Sequence, residues 1–150
     1  MRQEREEPAL EHMVPEGTSE QTVRALGKLS EALEVIEDAR GSLYRFHRLT
    51  GKADLALGEA VELLRDAGHT GIAADLDTAL VGRNVLDGRW TFQIVEEYDD
   101  GYYAEFKERE RGIRQELVEG RRHLFEARMK EERRTHRLEH HEAVPPREQP

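Results

Sequence analysis

The 150-residue chain contains no cysteine, so disulfide bonds and thiolate zinc sites are excluded. Only 5 prolines and 12 glycines interrupt it, which is too few for a chain dominated by loops. No hydrophobic run approaches the ~18 residues of a membrane span, and the polar start MRQEREE is unlike a signal peptide. We therefore expect one domain with no membrane partner and a cytoplasmic location.

A basic surface is also lacking. The chain has 32 acidic and 23 basic residues, a formal net charge of −9 at pH 7. A general nucleic-acid binder gains affinity from a basic surface, so we expect no nucleic-acid partner. Charged residues make up 37% of the chain and mean hydropathy is −0.83, values typical of long helices with wide solvated faces.

Apolar residues at steps of three, four and seven predict a long first helix. The segment before it, residues 1–17, contains Pro8, Pro15 and Gly17 and is expected to be a flexible arm. Thr18 or Ser19 can cap the helix, and Gly51 is expected to end it. Its stripe comprises Val23, Leu26, Leu29, Leu33, Ile36, Leu43 and His47.

Three further helices complete the predicted fold. Two short ones run from about residue 54 to 67 and from about 70 to 86, and the fourth begins near residue 90. The alternating run WTFQIV also suits a strand, but no second strand is available to pair with it. Short loops make sequential helices antiparallel neighbours.

The prediction is therefore an all-α antiparallel helical bundle with two long helices, the first and the last, and two shorter helices between them. The bundle spans residues 18–118. Because the fourth helix is longer than the first, residues 119–142 are expected to overhang as its continuation. Residues 143–150, with three prolines, are expected to be a disordered tail.

Charged residues at apolar positions predict a structural ion pair. Arg40 interrupts the stripe of the first helix, and Asp99 replaces a hydrophobic residue on the fourth. Counting from residues 47 and 90 at the same level sets Arg40 opposite about Asp99. A buried charge needs a partner, so we predict an Arg40–Asp99 pair shared with Arg83. An anion-binding site built from the two arginines is the alternative.

Polar and aromatic side chains also gather where the first helix ends and the fourth begins. They suggest a small-ligand or metal site, although the Glu-x-x-His step of di-metal carboxylate bundles occurs nowhere in the chain. His136 and His140 have the spacing of two ligands but no fixed third one. We predict no catalytic residue, metal or cofactor. The ligand-site candidates are Tyr44, His47, Arg83, Asn84, Trp90, Gln93 and Glu97.

The preferred functional interpretation is a non-catalytic interaction or scaffold protein. Segment 121–142 has seven cations against five anions in an otherwise acidic chain, and it also carries Leu124, Phe125 and Met129. A basic, partly apolar arm suits an acidic protein partner or the acidic body of a second copy. These three apolar residues are therefore the predicted interface.

One resemblance accompanies these inferences. Residues 82–100, GRNVLDGRWTFQIVEEYDD, together with residues 43–51, LYRFHRLTG, look like a family of small uncharacterised helical proteins from high-GC Gram-positive bacteria. The resemblance covers roughly residues 40–105. It implies a bacterial source and brings no site residue with it.

Overall fold

The computed structural model of the protein describes residues 6–144. This range holds five α-helices, a 3-10 turn at Leu10–His12 and a π-helical turn, Asp99–Tyr103, that connects the third α-helix to the fourth. Its only β feature is one isolated bridge between Leu86 and Arg89, and the predicted all-α class is confirmed. The helices are α1 (Glu20–Asp66), α2 (Thr70–Ala79), α3 (Thr91–Tyr98), α4 (Ala104–Val118) and α5 (Leu124–Arg133).

The first helix is much longer than predicted. It starts after Ser19, whose Oγ accepts the Thr22 N–H at 3.1 Å as an N-cap does. The predicted stop at Gly51 is wrong, because α1 runs on to Asp66 and absorbs the predicted second helix. An interior glycine costs only about 1 kcal/mol relative to alanine, and the stripe of partly buried residues stays in phase across it. The left-handed glycine that follows the helix is Gly68, with φ +86°.

The helix α2, which corresponds to the third predicted helix, is shorter than predicted, and a loop follows it. α2 ends at Ala79, whereas the apolar pattern extended to residue 86. The N–H of Gly82, a residue with φ +68°, donates to Asp54 Oδ1 at 2.9 Å, which directs the chain away from the helix path. A tight turn at Gly88 then leads into α3.

The predicted overhang of the last helix is also wrong. α4 ends at Val118, and Glu119 and Gly120 both adopt left-handed backbone angles, with φ of 58° and 74°. Arg114 holds this end, donating to the Gly120 carbonyl at 2.7 Å and pairing with Glu110 at 2.9 Å. The chain re-enters a helix only at α5, and residues 134–144 are not helical. Most of the predicted tail, 145–150, lies outside the described residues.

The chain divides into two compact units, each with a small core. One combines residues up to Glu34 with those from Phe106 onward, and the other is Val35–Glu105. The first unit buries Val23, Val118 and Leu124, with Leu26 and Phe125 packed against them. The second buries Val61, Ala73 and Val95.

Candidate functional site

Arg40 and Asp99 lie together in the second unit. The guanidinium donates Nε–H and Nη2–H to the two carboxylate oxygens, each at 3.0 Å, and the Asp99 bonds raise the Arg40 pKa. Each side chain remains about one third exposed, so the pair is less buried than predicted. The guanidinium also lies over the Tyr44 ring, 5.2 Å from its centroid. Arg83 lies elsewhere, exposed in the loop after α2.

A second polar contact lies one turn from this pair. The Tyr103 hydroxyl, at the end of the π-helical turn, donates to the Glu37 carboxylate. That hydrogen bond raises the Tyr103 pKa, because it favours the protonated phenol. Contacts from Glu37 and Arg40 thus hold the π-helical turn against α1.

The predicted ligand residues do not converge on one site. His47 Nδ1 lies 2.7 Å from Thr91 Oγ1, and Glu97 pairs with Arg89 at 3.1 Å. Gln93 accepts the Trp90 N–H at 2.9 Å, capping the start of α3. The polar groups of His47, Gln93 and Glu97 are engaged in these contacts, which hold helices and loops in place.

Arg83, Asn84 and Trp90 do come together along an open groove of about 1160 Å³. Thr50, Gly51, Ala53, Asp54 and Leu57 of α1 line its other side, whereas Tyr44, His47, Gln93 and Glu97 are not part of it. The groove thus contains three of the seven predicted ligand residues, and these three lie in the loop between α2 and α3.

The predicted C-terminal interface is largely used inside the first unit. Leu124 is buried, and Phe125 packs so closely on α1 that a Cβ at Gly27 would lie 2.8 Å from its Cγ. Only Met129, 42% exposed, keeps a substantial free surface. The predicted interface at Leu124 and Phe125 is therefore wrong, because α5 folds back instead of projecting.

Arg134, which no sequence pattern singled out, fixes the end of this unit. The Arg134 side chain is buried and donates to the Glu131 carboxylate at 2.6 and 2.9 Å. It also donates to the Glu6 carboxylate at 3.0 Å and to the Glu6 carbonyl. These bonds lower the pKa of both carboxyl groups. The clamp ties residue 6, in the arm predicted to be flexible, to the end of α5.

The largest unassigned feature is a second stripe on α1, which we call the exposed stripe. Its nine positions alternate steps of four and three, all are exposed, and none carries a charge. Val35 is 63% exposed, Phe46 44%, Leu49 52% and Leu63 69%. Exposed apolar patches of this extent commonly mark interaction surfaces. The exposed stripe consists of Val35, Ala39, Ser42, Phe46, Leu49, Ala53, Ala56, Ala60 and Leu63.

Each of these positions comes one residue before a position that faces the interior of the unit. We call that second set the inner stripe. The two sets are about 100° apart on the helix surface, so α1 has two neighbouring apolar faces. The inner stripe consists of Ile36, Arg40, Leu43, His47, Thr50, Asp54, Leu57, Val61 and Leu64, all partly or fully buried.

Comparisons with other proteins and a search for standard sites add no assignment. Neither a family model, nor a curated protein, nor a solved structure matches the chain. Within residues 6–144 no group of three or more histidine or acidic side chains has the arrangement of a metal site. None of the helices in that range is both long and apolar enough to cross a bilayer. The resemblance to the bacterial family stays a prediction.

Proposed function

We propose that this chain is a non-catalytic interaction protein that self-associates through the exposed stripe of α1. The observation that carries the proposal is nine successive stripe positions that are apolar or small and all exposed. Covering such side chains gains roughly 25 cal/mol per Å² of apolar area, so a matching helix binds there favourably. This is the predicted function, but the proposed interaction surface lies on α1 and not on the C-terminal segment.

The polar residues of the second unit support a structural role. Asp99 holds Arg40, Thr91 holds His47, and Arg89 holds Glu97. Groups engaged in this way position helices, and this role fits an interaction protein. Chemistry at these side chains first requires breaking the contacts.

The order of charges beside the exposed stripe favours a second copy as the partner. Asp38 borders its start, Arg45 and Lys52 border its middle, and Glu59 and Asp66 border its end, and all five are exposed. A helix that is basic at one place and acidic further along attracts a reversed copy of itself. The same order gives no comparable match to a copy in the same direction.

The antiparallel bundle predicted from the short loops is part of this proposal. Its support is the order of contacts to α1. Glu37 meets Tyr103, Arg40 meets Asp99, and His47 meets Thr91, so numbers rise on one side as they fall on the other. That order is the one an antiparallel pair produces.

Molar mass in solution tests the self-association. We expect light scattering to give twice the 17.3 kDa of one chain, and Leu49→Glu to return the mass to 17.3 kDa because a charge then lies in the apolar contact. Leu55→Glu is the matched control, since Leu55 is more exposed than Leu49 but lies outside the exposed stripe. A wild-type monomer at every concentration, or an equal effect of both substitutions, would contradict the proposal.

The groove beside Trp90 favours a second candidate function, the binding of a small ligand. Arg83, Asn84 and the exposed Trp90 ring offer a cation, an amide and an aromatic face, and Asp54 and Asp87 add two carboxylates, which together suit an aromatic compound with both an acidic and a basic group. Tryptophan fluorescence during titration with nucleotides and aromatic acids tests it. A change that disappears in Arg83→Ala supports this function, and an unchanged spectrum throughout opposes it.

A further inference from the structure

We infer that two copies of α1 pair antiparallel through residues 45–66, with Arg45 of each facing Asp66 of the other and Lys52 facing Glu59. This inference rests on the proposed self-association and adds its orientation and register. It follows from three properties of the exposed stripe: its period, the sizes of its side chains and the charges beside it.

The period of the exposed stripe is that of a coiled coil. Steps of four and three average 3.5 residues, which keeps one seam of a helix facing a neighbouring helix over its whole length. In an antiparallel pair, a stripe position that follows a four-residue step on one helix faces a stripe position that follows a three-residue step on the other helix. Positions in contact then have numbers with a constant sum.

The side-chain sizes suit the pairing in which that sum is 109. Ala53 then faces Ala56 of the other copy at the centre, Leu49 faces Ala60, and Phe46 faces Leu63 at the ends. Alanines at the centre let the two backbones approach to about 8 Å. Each large side chain then packs beside a small one or closes an end of the seam.

The charges beside the seam fix the register. The bordering positions 38, 45, 52, 59 and 66 recur every seven residues on one edge of the exposed stripe, and the last four lie in the paired segment. Helical side chains lean toward the N-terminus of their own helix, so bordering residues of two antiparallel copies lean toward each other. In this pairing Arg45 meets Asp66 and Lys52 meets Glu59, and these numbers sum to 111 because the lean displaces the edge contacts by two residues from the seam positions. Two-fold symmetry doubles both contacts.

Neighbouring registers bring like charges together. A shift of one heptad in one direction sets Lys52 against Lys52 of the other copy and Asp38 against Asp66, and keeps only the opposite pair Arg45–Glu59. A shift the other way sets Glu59 against Glu59 and keeps only the opposite pair Lys52–Asp66. A parallel pair places Lys52 beside Leu57 of the inner stripe, where it finds no opposite charge. The antiparallel register with the sum 109 is therefore favoured over all three arrangements.

Engineered disulfides can map the pairing, and no native thiol competes with them because the chain contains no cysteine. We expect Leu49→Cys with Ala60→Cys to form a covalent dimer under mild oxidation, since these positions face each other twice. They are 11 residues apart, about 16 Å along one helix, so no bond forms within a chain. Phe46→Cys with Ala56→Cys reports the register shifted by one heptad, and Leu49→Cys alone reports a parallel pair.

Charge reversal tests the edge contacts. Lys52→Glu and Glu59→Lys are each expected to weaken the dimer by about tenfold or more, because each turns two attractions into repulsions. The double variant Lys52→Glu/Glu59→Lys restores opposite charges and should recover most of the affinity. High salt should reduce all three differences.

The outcomes separate this inference from the function on which it rests. A dimer that cross-links through 49 and 60 and recovers in the double charge variant supports it. A dimer that cross-links through either control, or that the double variant fails to restore, overturns the register while self-association stands. A chain that sediments as a monomer in every condition overturns both.

Discussion

The two stripes of α1 differ in polarity, and the difference is the reverse of the usual one between an inner and an exposed face. The inner stripe contains Arg40, His47 and Asp54, each with a polar partner from another part of the second unit. The exposed stripe contains no charged residue, and its only polar residue is Ser42. The more apolar of the two faces is thus the one in contact with water.

This difference shows how one helix can serve two purposes. Polar contacts on the inner stripe specify one arrangement of the chain's own helices, because a misplaced partner leaves a polar group unsatisfied. The exposed stripe lacks such groups and suits a surface to which a partner binds reversibly. Four predictions test this comparison.

Adjacent residues give the largest contrast. Val61 is buried on the inner stripe and Ala60 is exposed beside it, so Val61→Asp should cost about 3 kcal/mol or more of unfolding free energy. Ala60→Asp should leave the folded monomer nearly as stable and abolish the dimer. Urea denaturation followed by circular dichroism measures the first effect, and light scattering the second. Similar losses of stability in both variants would remove the distinction between the stripes.

Glycines on α1 extend the comparison into the first unit. Gly27→Ala should destabilise by about 1–2 kcal/mol, since the new Cβ would lie 2.8 Å from the Phe125 ring. Gly58→Ala is the matched control in the same helix, and nothing lies within 4 Å of its added Cβ. It should stabilise by up to about 1 kcal/mol through helix propensity. Thermal melts of the two variants should therefore shift in opposite directions.

The ion pair on the inner stripe should have a smaller effect. Asp99→Asn removes the carboxylate that accepts two bonds from Arg40, but both side chains are partly solvated. We expect the melting temperature to fall by about 2–4 °C. Asp100→Asn, at an exposed neighbouring position, should leave it unchanged. Equal melting temperatures for both variants would show that the pair does not hold α3 and the π-helical turn.

The smallest effect concerns the Arg134 clamp, which belongs to the first unit. The pKa of Glu6 lies below its ordinary 4.5, so the clamp contributes fully above about pH 4.5 and is lost as pH falls through the lowered value. The Arg137 N–H donates to Glu6 Oε2 at 3.2 Å and reports this change. Its NMR amide shift should titrate with a midpoint below 4.5 in wild type. In Arg134→Gln the midpoint should move up.

Periodicity predicted the helical class and the inner stripe as far as His47, and counting along two helices set Arg40 opposite about Asp99. Three features escaped it for physical reasons. Gly51 was given the role of a helix stop, although an interior glycine is affordable where packing continues on both sides. Gly120 marks the break before α5, but Gly101 and Gly112 offered the same signal, and the left-handed angles of Glu119 and His123 are ones that non-glycine residues seldom take.

The exposed stripe escaped for another reason. Ala39, Ala53, Ala56 and Ala60 are too small to mark an apolar face by themselves, and the expected stop at Gly51 divided the pattern. With α1 unbroken, the spacing of four and three would have identified it. The steps continue without a gap from Val35 to Leu63.

The most direct test of the central claim is whether a second copy covers the exposed stripe. Ala53→Cys places the only thiol of the chain in the stripe, and Leu55→Cys places one on a different face of the same helix. We predict that the thiol at position 53 reacts slowly with a maleimide at high protein concentration and quickly on dilution, whereas the thiol at 55 reacts quickly in both. Equal, concentration-independent reactivity at the two positions would contradict the account.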